Sequence, residues 1–253
     1  MIKPIRSAIL ALPLLAGLAH TASASIITNV SVPYYQAVTL HGGILQQATG
    51  SSTMGVGIAG QIVLTTTDQG ILGVWCIDLL HDIYLGNNTY SYTDVPLATN
   101  NLDGVNNVKL TALQIQGIEE AAAFGNAILP HANEAISPQL SALYNADLAH
   151  FEAAHPNDYT LATSDLSAFS AAAQATIWDI EYGTTATGGT DFTTDMAIVA
   201  ADMGYFSNVS GVELNIVNAQ KQELSTVPEP GSLSLLGIGL LGLLGVGKRR
   251  KTV

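Results

Sequence analysis

Two residues in this sequence have types and positions that could support chemistry. Cys76 is the one cysteine of the chain, and it ends an apolar run of the kind that forms a buried strand. Gln174 falls on the apolar side of a predicted helix, between the directions of Ile177 and Trp178. A buried amide must be hydrogen-bonded or take part in chemistry. The ordinary alternatives are a small core thiol and a glutamine bonded to the backbone.

The residues around this pair form two short motifs. They are Trp75-Cys76-Ile77 and Ala173-Gln174-Ala175-Thr176-Ile177-Trp178. The pair resembles the motifs of bacterial surface thioester domains, over roughly residues 71–183. The family order is Thr-Gln-x-Ala, and this chain departs from it at Ala173 and Thr176. The resemblance implies that the Cys76 and Gln174 side chains condense with loss of ammonia. A nucleophile on a partner would then open the internal thioester.

Such a bond would need supporting residues. Trp178 is expected to pack beside the pair and keep water away. Asp78 and His81 are the nearest proton donors in the sequence that could help ammonia to leave. An amine-bearing or polysaccharide surface ligand is the partner that this interpretation implies.

Other kinds of site have weaker support in the sequence. His81 lies five residues after Cys76 and suggests a thiol nucleophile, yet no enzyme signature accompanies it. Neighbouring residues of a strand alternate faces, which argues against a metal site at Asp78, His81 and Asp82. A single cysteine excludes Cys-rich zinc sites and an internal disulfide. We therefore predict no enzyme activity, no cofactor and no metal; His131, His150 and His155 are interpreted as helix-surface or loop residues.

Charge is distributed unevenly along the chain. Six of the eight basic residues lie in the two termini, and the segment between them keeps only Lys109 and Lys221. That segment holds nineteen of the twenty acidic residues, which gives it a formal charge of −17. Such a surface repels phosphate backbones, so the composition argues against nucleic-acid binding.

The C-terminal residues have the order of a sorting signal. Val227-Pro228-Glu229-Pro230 precedes an uncharged run over 231–247, and four basic residues over 248–251 follow. A helix over that run would span about 25 Å, close to a bilayer core. Its basic end would stay cytoplasmic, which places the residues before 228 outside. The segment resembles the PEP-CTERM sorting signal of bacterial exported proteins, which implies processing by an exosortase-type protease and association with an exopolysaccharide matrix.

The N-terminus is typical of a signal peptide. Lys3 and Arg6 precede an apolar stretch over 9–19, and Ala22-Ser23-Ala24 fits a small-x-small cleavage site. The predicted organisation is therefore a signal peptide over 1–24, an exported cargo domain over 25–219, a linker over 220–227 and a sorting segment over 228–253.

Patterning within the cargo predicts an α+β domain, with strands at both ends and helices between them. A C-terminal transmembrane sorting helix over 231–247 would complete the architecture. Turn and cap residues set the boundaries, including a helix stop at Gly125-Asn126, a loop over 155–158 and a loop over 184–190. Strands are predicted over 26–40, 54–67, the first half of 71–86, 90–95 and 209–217. Helices are predicted over 109–124, 138–155, 164–182 and 193–204.

Two functions fit this pattern. The first is an exported, non-enzymatic cell-surface or extracellular-matrix protein with a Cys76–Gln174 thioester for covalent attachment. The alternative is a non-covalent binding or structural surface protein of an exopolysaccharide matrix, and a thiol-dependent enzyme is a third, weaker hypothesis. In each case the protein is expected to be held by its C-terminal helix before processing, and then to reside at the cell surface or outside the cell.

Overall fold

The computed structural model describes residues 25–45, 50–67, 70–77, 85–87, 90–96, 110–129, 138–206, 212–216 and 224–226. The strands are β1 (Ser25–Ser31), β2 (Gln36–Gly42), β3 (Thr53–Ala59), β4 (Ile62–Thr66), β5 (Ile71–Cys76), β6 (Tyr90–Pro96), β7 (Thr184–Thr187), β8 (Val212–Ile216) and β9 (Leu224–Thr226). The helices are α1 (Ala112–Ile128), α2 (Pro138–Ala154), α3 (Pro156–Ser164), α4 (Leu166–Tyr182), α5 (Phe192–Asp202) and a 3-10 helix (Met203–Phe206).

Six strands close into an antiparallel barrel in the order β1-β4-β5-β9-β8-β6. The barrel is built from four N-terminal strands, β1, β4, β5 and β6, and two C-terminal strands, β8 and β9. Closing a sheet into a barrel pairs the strands that would otherwise form its edges. A separate three-stranded sheet has the order β3-β2-β7. The prediction of an α+β chain, with N-terminal strands and a helical section, is confirmed.

Helix α4 is the centre of the helical section. Its residues from Ala168 to Trp178 are all buried, as expected of a helix surrounded by other elements. Helix α1 packs against α4, and a methyl group added at Gly117 of α1 would meet the Ile180 side chain of α4 at 3.2 Å. Both helices contain fully buried alanines, which are Ala121, Ala122 and Ala123 of α1 and Ala171, Ala172, Ala173 and Ala175 of α4.

The ends of α1 and α4 are set by polar caps. Asp165 accepts hydrogen bonds from the backbone N–H groups of Ser167 and Ala168 at the start of α4, and Gly183 ends that helix in the left-handed conformation. Thr111 and Gln114 form a capping box at the start of α1. The predicted start of α4 at residues 164–165 and its predicted stop at Gly183 are confirmed, because both predictions depended on these capping residues.

Three predictions about strands and loops were wrong. The predicted strand over 54–67 is two strands, because the chain breaks at Gly60-Gln61. Residues Thr184–Thr187, predicted as a loop, form β7 and pair with β2. Residues Leu224–Thr226, within the predicted linker over 220–227, form β9 and pair with β5 and β8. Short polar strands of this kind lack the apolar alternation on which the predictions depend.

Two predictions about helices were also wrong. Helix α1 does not stop at Gly125-Asn126 but continues to Ile128, because both residues are buried against β5 and neighbouring side chains. The predicted loop over 155–158 contains the start of α3 at Pro156, with His155 in the cap position. Proline is well suited to the first turn of a helix, where its missing N–H has no intrahelical partner.

Several predicted segments lie outside the described residues. They are the signal peptide over 1–24, the sorting motif from Val227 to Pro230 and the sorting helix over 231–247. Among the residues that the structure describes, none of the helices combines the length and apolarity needed to cross a bilayer.

The contact between Gly125 and Trp75 leads to the first prediction. A methyl group at Gly125 would overlap the indole ring of Trp75, which is fully buried beside Cys76. We therefore expect Gly125→Ala to destabilise the protein by about 1–3 kcal/mol through overpacking. Urea unfolding measures this change.

Gly117→Ala is the matched control in the same helix. Its added methyl would meet the flexible end of Ile180 at 3.2 Å, so helix propensity is expected to leave stability unchanged or raise it by up to about 1 kcal/mol. Equal stability changes for the two variants would contradict the close packing of Trp75 on α1.

Candidate functional site

The side chain of Gln174 lies against the backbone of Cys76. The Cys76 N–H donates to Gln174 Oε1 at 2.9 Å, and Gln174 Nε2 donates to the Cys76 carbonyl at 2.7 Å. Gln174 is fully buried, and Cys76 is only 3% exposed. The structure therefore brings together the two residues of the predicted pair, 98 positions apart in the chain.

The amide of Gln174 takes the place of a neighbouring strand. Pairing between β4 and β5 ends at Ile62 and Val74, two residues before Cys76. Beyond that point the chain of β4 turns away, and α4 covers the corner. A side-chain amide carries one donor and one acceptor group, like a peptide, so Gln174 can satisfy both backbone groups of Cys76.

A second side chain of α4 completes the same corner. Ser170 lies one turn before Gln174, and its hydroxyl accepts a hydrogen bond from the Gln61 N–H at 2.8 Å. Residues four apart lie on one face of a helix. Ser170 and Gln174 therefore fasten the diverging ends of β4 and β5 to one face of α4; we refer to this arrangement as the α4 clamp.

The column of residues on α4 continues at the same spacing to Trp178 and Tyr182. The Tyr182 hydroxyl donates to the Ile77 carbonyl at 2.7 Å, so the chain is held on both sides of the Cys76–Ile77 peptide bond. Trp178 is 2% exposed, and its buried indole N–H makes no hydrogen bond within the described residues. The packing of Trp178 beside Cys76 stays a prediction.

A polar network on the side of α1 fixes Trp75, the neighbour of Cys76. Asn126 Oδ1 accepts from Trp75 Nε1 at 3.0 Å and from Gln61 Nε2 at 2.6 Å. Asn126 and Gln61 are both nearly fully buried. Asn126 Oδ1 thus joins β5, the residue before β4 and α1, while Gln61 Oε1 makes no hydrogen bond within the described residues.

Sequence reasoning found the centre of this site but not its supports. It identified Cys76 and Gln174, which the structure brings together. It missed the polar residues around them, which are Gln61, Asn126, Ser170 and Tyr182. Ser170 and Tyr182 could have been predicted, because they lie at intervals of four residues from Gln174 and therefore near the same face of the helix. Asp78 and His81, the predicted proton donors, lie outside the described residues, as does the sorting motif Val227, Pro228, Glu229 and Pro230.

The comparisons with known proteins match the C-terminal tail. Residues 226–251 match the PEP-CTERM protein-sorting motif. No curated protein and no solved structure matches the chain. The tail therefore supports an exported protein sorted by an exosortase through a C-terminal sorting segment.

The α4 clamp leads to the second prediction. Gln174→Ala leaves the buried N–H and C=O of Cys76 without the amide, and each unsatisfied group costs about 1–3 kcal/mol. We expect a loss of about 2–4 kcal/mol in the free energy of unfolding. The measurement belongs in a Cys76→Ala background, where no covalent bond to Gln174 can contribute.

Gln116→Ala is the control for this experiment. Its amide is exposed and bonds only Glu120 on the same helix, so its loss is expected to change stability by less than about 0.5 kcal/mol. Similar values for the two glutamines would show that the clamp does not stabilise the fold.

Proposed function

We propose that this exported protein forms an internal thioester between Cys76 and Gln174 and uses it to attach covalently to a partner at the cell surface or in the extracellular matrix. The two hydrogen bonds that hold the Gln174 amide against Cys76 are the observation that supports this function most. They restrict the amide to the immediate surroundings of the thiol-bearing residue.

The reaction is an acyl transfer that needs no oxidant. The Cys76 sulfur attacks the Gln174 side-chain carbonyl carbon, an S–C bond forms, the C–N bond breaks, and the thiol proton leaves with the amine as ammonia. Holding both groups in one pocket can lower the barrier by about 7–11 kcal/mol relative to free reactants. The amide must first leave the backbone edge, since side chains of a strand project away from the hydrogen-bonding plane.

The surroundings favour survival of the product. Trp75, next to Cys76, and Trp178, one helical turn after Gln174, are both buried, and we expect them to keep away water, which would otherwise hydrolyse a thioester. Internal amines are also scarce, because the cargo has only Lys109 and Lys221. We expect Asp78 or His81, the nearest acid–base residues in the sequence, to relay the thiol proton to the leaving nitrogen.

A small set of mass measurements tests the thioester directly. We expect the purified protein to be lighter than its calculated mass by one ammonia and to resist thiol reagents. Methylamine should open the bond, add one amine and expose one thiol per chain. Cys76→Ala and Gln174→Ala should each abolish the mass deficit, whereas Gln116→Ala should keep it.

A protein of full calculated mass, with a thiol that reacts as soon as the chain is denatured, would contradict the thioester. The result would favour the second candidate, a non-covalent binding or structural surface module of an exopolysaccharide matrix. One observation supports that candidate: the Gln174 amide already has partners for both of its polar groups on Cys76, as a purely structural glutamine would.

The sorting tail generates a separate prediction. Pro228 and Pro230 favour an extended backbone beside the apolar run, a conformation that a protease can bind. Replacing Pro228-Glu229-Pro230 by alanines should leave export intact but keep the tail attached. Membrane fractionation followed by intact-mass measurement reads out both effects. Alanines at Gln220 and Gln222 are the control, and a motif variant that loses its tail at the parental rate would exclude the motif as the recognition element.

A further inference from the structure

One histidine and two aspartate side chains lie close together at the junction of α2, α3 and α5. None of them belongs to the Cys76–Gln174 site. His155 joins α2 to α3, Asp158 lies in the first turn of α3, and Asp202 is the last residue of α5. The backbone of His155 is fixed in both directions, by its N–H to Phe151 and by its carbonyl to Tyr159. The side chains therefore meet on a firmly held junction.

The distances between these side chains suit a shared cation better than a direct contact. His155 Nδ1 lies 3.5 Å from Asp158 Oδ2 and 3.7 Å from Asp202 Oδ1. Both exceed the usual length of an N–H···O hydrogen bond, about 2.7–3.2 Å. Two donors about 2.1 Å from a tetrahedral ion lie roughly 3.4 Å apart, and one donor atom from each residue lies within 4.8 Å of the others.

We propose that His155, Asp158 and Asp202 bind one divalent first-row transition ion, such as Zn²⁺ or Mn²⁺. This metal site is independent of the proposed thioester. It also goes beyond the sequence analysis, which interpreted His155 as a surface or loop residue and predicted no metal.

The other ring nitrogen of His155 has the partner that a metal-binding histidine usually has. His155 Nε2 lies 3.0 Å from the hydroxyl of Tyr205. When Nε2–H donates to that hydroxyl, Nδ1 carries a lone pair that faces the two carboxylates, and a cation between them satisfies all three groups. The ring is also held by stacking on Phe151 and by an edge contact with Tyr205.

The burial of Asp202 is a second observation that favours a bound cation at this junction. It is 2% exposed, and its buried Oδ2 makes no hydrogen bond within the described residues. Burial raises the pKa of Asp202; His155 lowers it and Asp158 raises it. All eight lysines and arginines of the chain lie outside the described residues. A buried carboxylate needs a compensating partner, and a metal ion beside His155 and Asp158 would provide one.

The donor set indicates the class of ion. One imidazole nitrogen with two carboxylate oxygens suits Zn²⁺ or Mn²⁺, whereas Ca²⁺ and Mg²⁺ prefer oxygen ligands alone. The side chains of His155 and Asp158 are 37% and 38% exposed. The site is therefore open to solvent on one side, so that an ion can enter and water can complete its coordination.

Titration calorimetry and thermal unfolding with ZnCl₂ or MnCl₂, on protein without a histidine tag, test the site. We expect saturable binding of one ion per chain and a melting temperature that rises with ion concentration. Asp202→Asn and Asp158→Asn should each weaken binding at least tenfold. Asp158 is partly exposed, so its variant keeps the test valid even where Asp202→Asn changes folding.

His41→Gln is the control, because His41 is bonded to Thr187 on the separate sheet and should bind the ion like the parent. Binding that is unchanged in Asp158→Asn and Asp202→Asn would overturn the site, as would the lack of saturable binding in the parent. CaCl₂ and MgCl₂ form the comparison arm, and tighter binding of either one would overturn the assignment to a transition ion.

Discussion

The hydrogen bonds between the Gln174 amide and the backbone of Cys76 hold together two parts of the molecule that otherwise diverge. Strand β5 continues past the point where β4 stops pairing with it, and the Gln174 amide bonds the backbone N–H and carbonyl of its last residue, Cys76. Buried peptide groups without partners are costly. On the side of β4, the Ser170 hydroxyl accepts from the N–H of Gln61. Polar contacts from α4 thus join the barrel to the helical section.

The charge composition imposes a second constraint on the fold. The part of the chain that the structure describes holds no lysine or arginine, so no pair between a buried carboxylate and such a side chain is seen within it. Protonation is one way to compensate: burial, and then the nearby carboxylates of Asp191 and Asp165, raise the pKa of Asp195 to about 7. Asp202 differs because a histidine lies beside it. A proton on Asp195 and the proposed metal ion at Asp202 would be two ways to compensate buried carboxylates in an acidic chain.

The parts of this structure that the sequence predicts well are those with local physical signals. The cap at Asp165, the stop at Gly183 and the apolar face around Gln174 all follow from short-range patterns, and they locate the central helix and its buried amide. Closure of the barrel does not, because β9 pairs through three residues with no distinctive pattern. The stop predicted at Gly125-Asn126 failed for a related reason. A tertiary contact with Trp75 requires glycine within the helix, and the Asn126 amide is a buried acceptor rather than a terminator.

A structural clamp and a reactive pair place different demands on the same amide. While Gln174 bonds both backbone groups of Cys76, its carbonyl carbon is held near the thiol-bearing residue but remains part of an amide. Loss of Nε2 as ammonia would remove the donor that now bonds the Cys76 carbonyl, at a cost of about 1–3 kcal/mol. The amide must also give up both contacts with the Cys76 backbone before sulfur can reach its carbonyl carbon. The clamp and the proposed thioester would therefore be successive states of one side chain.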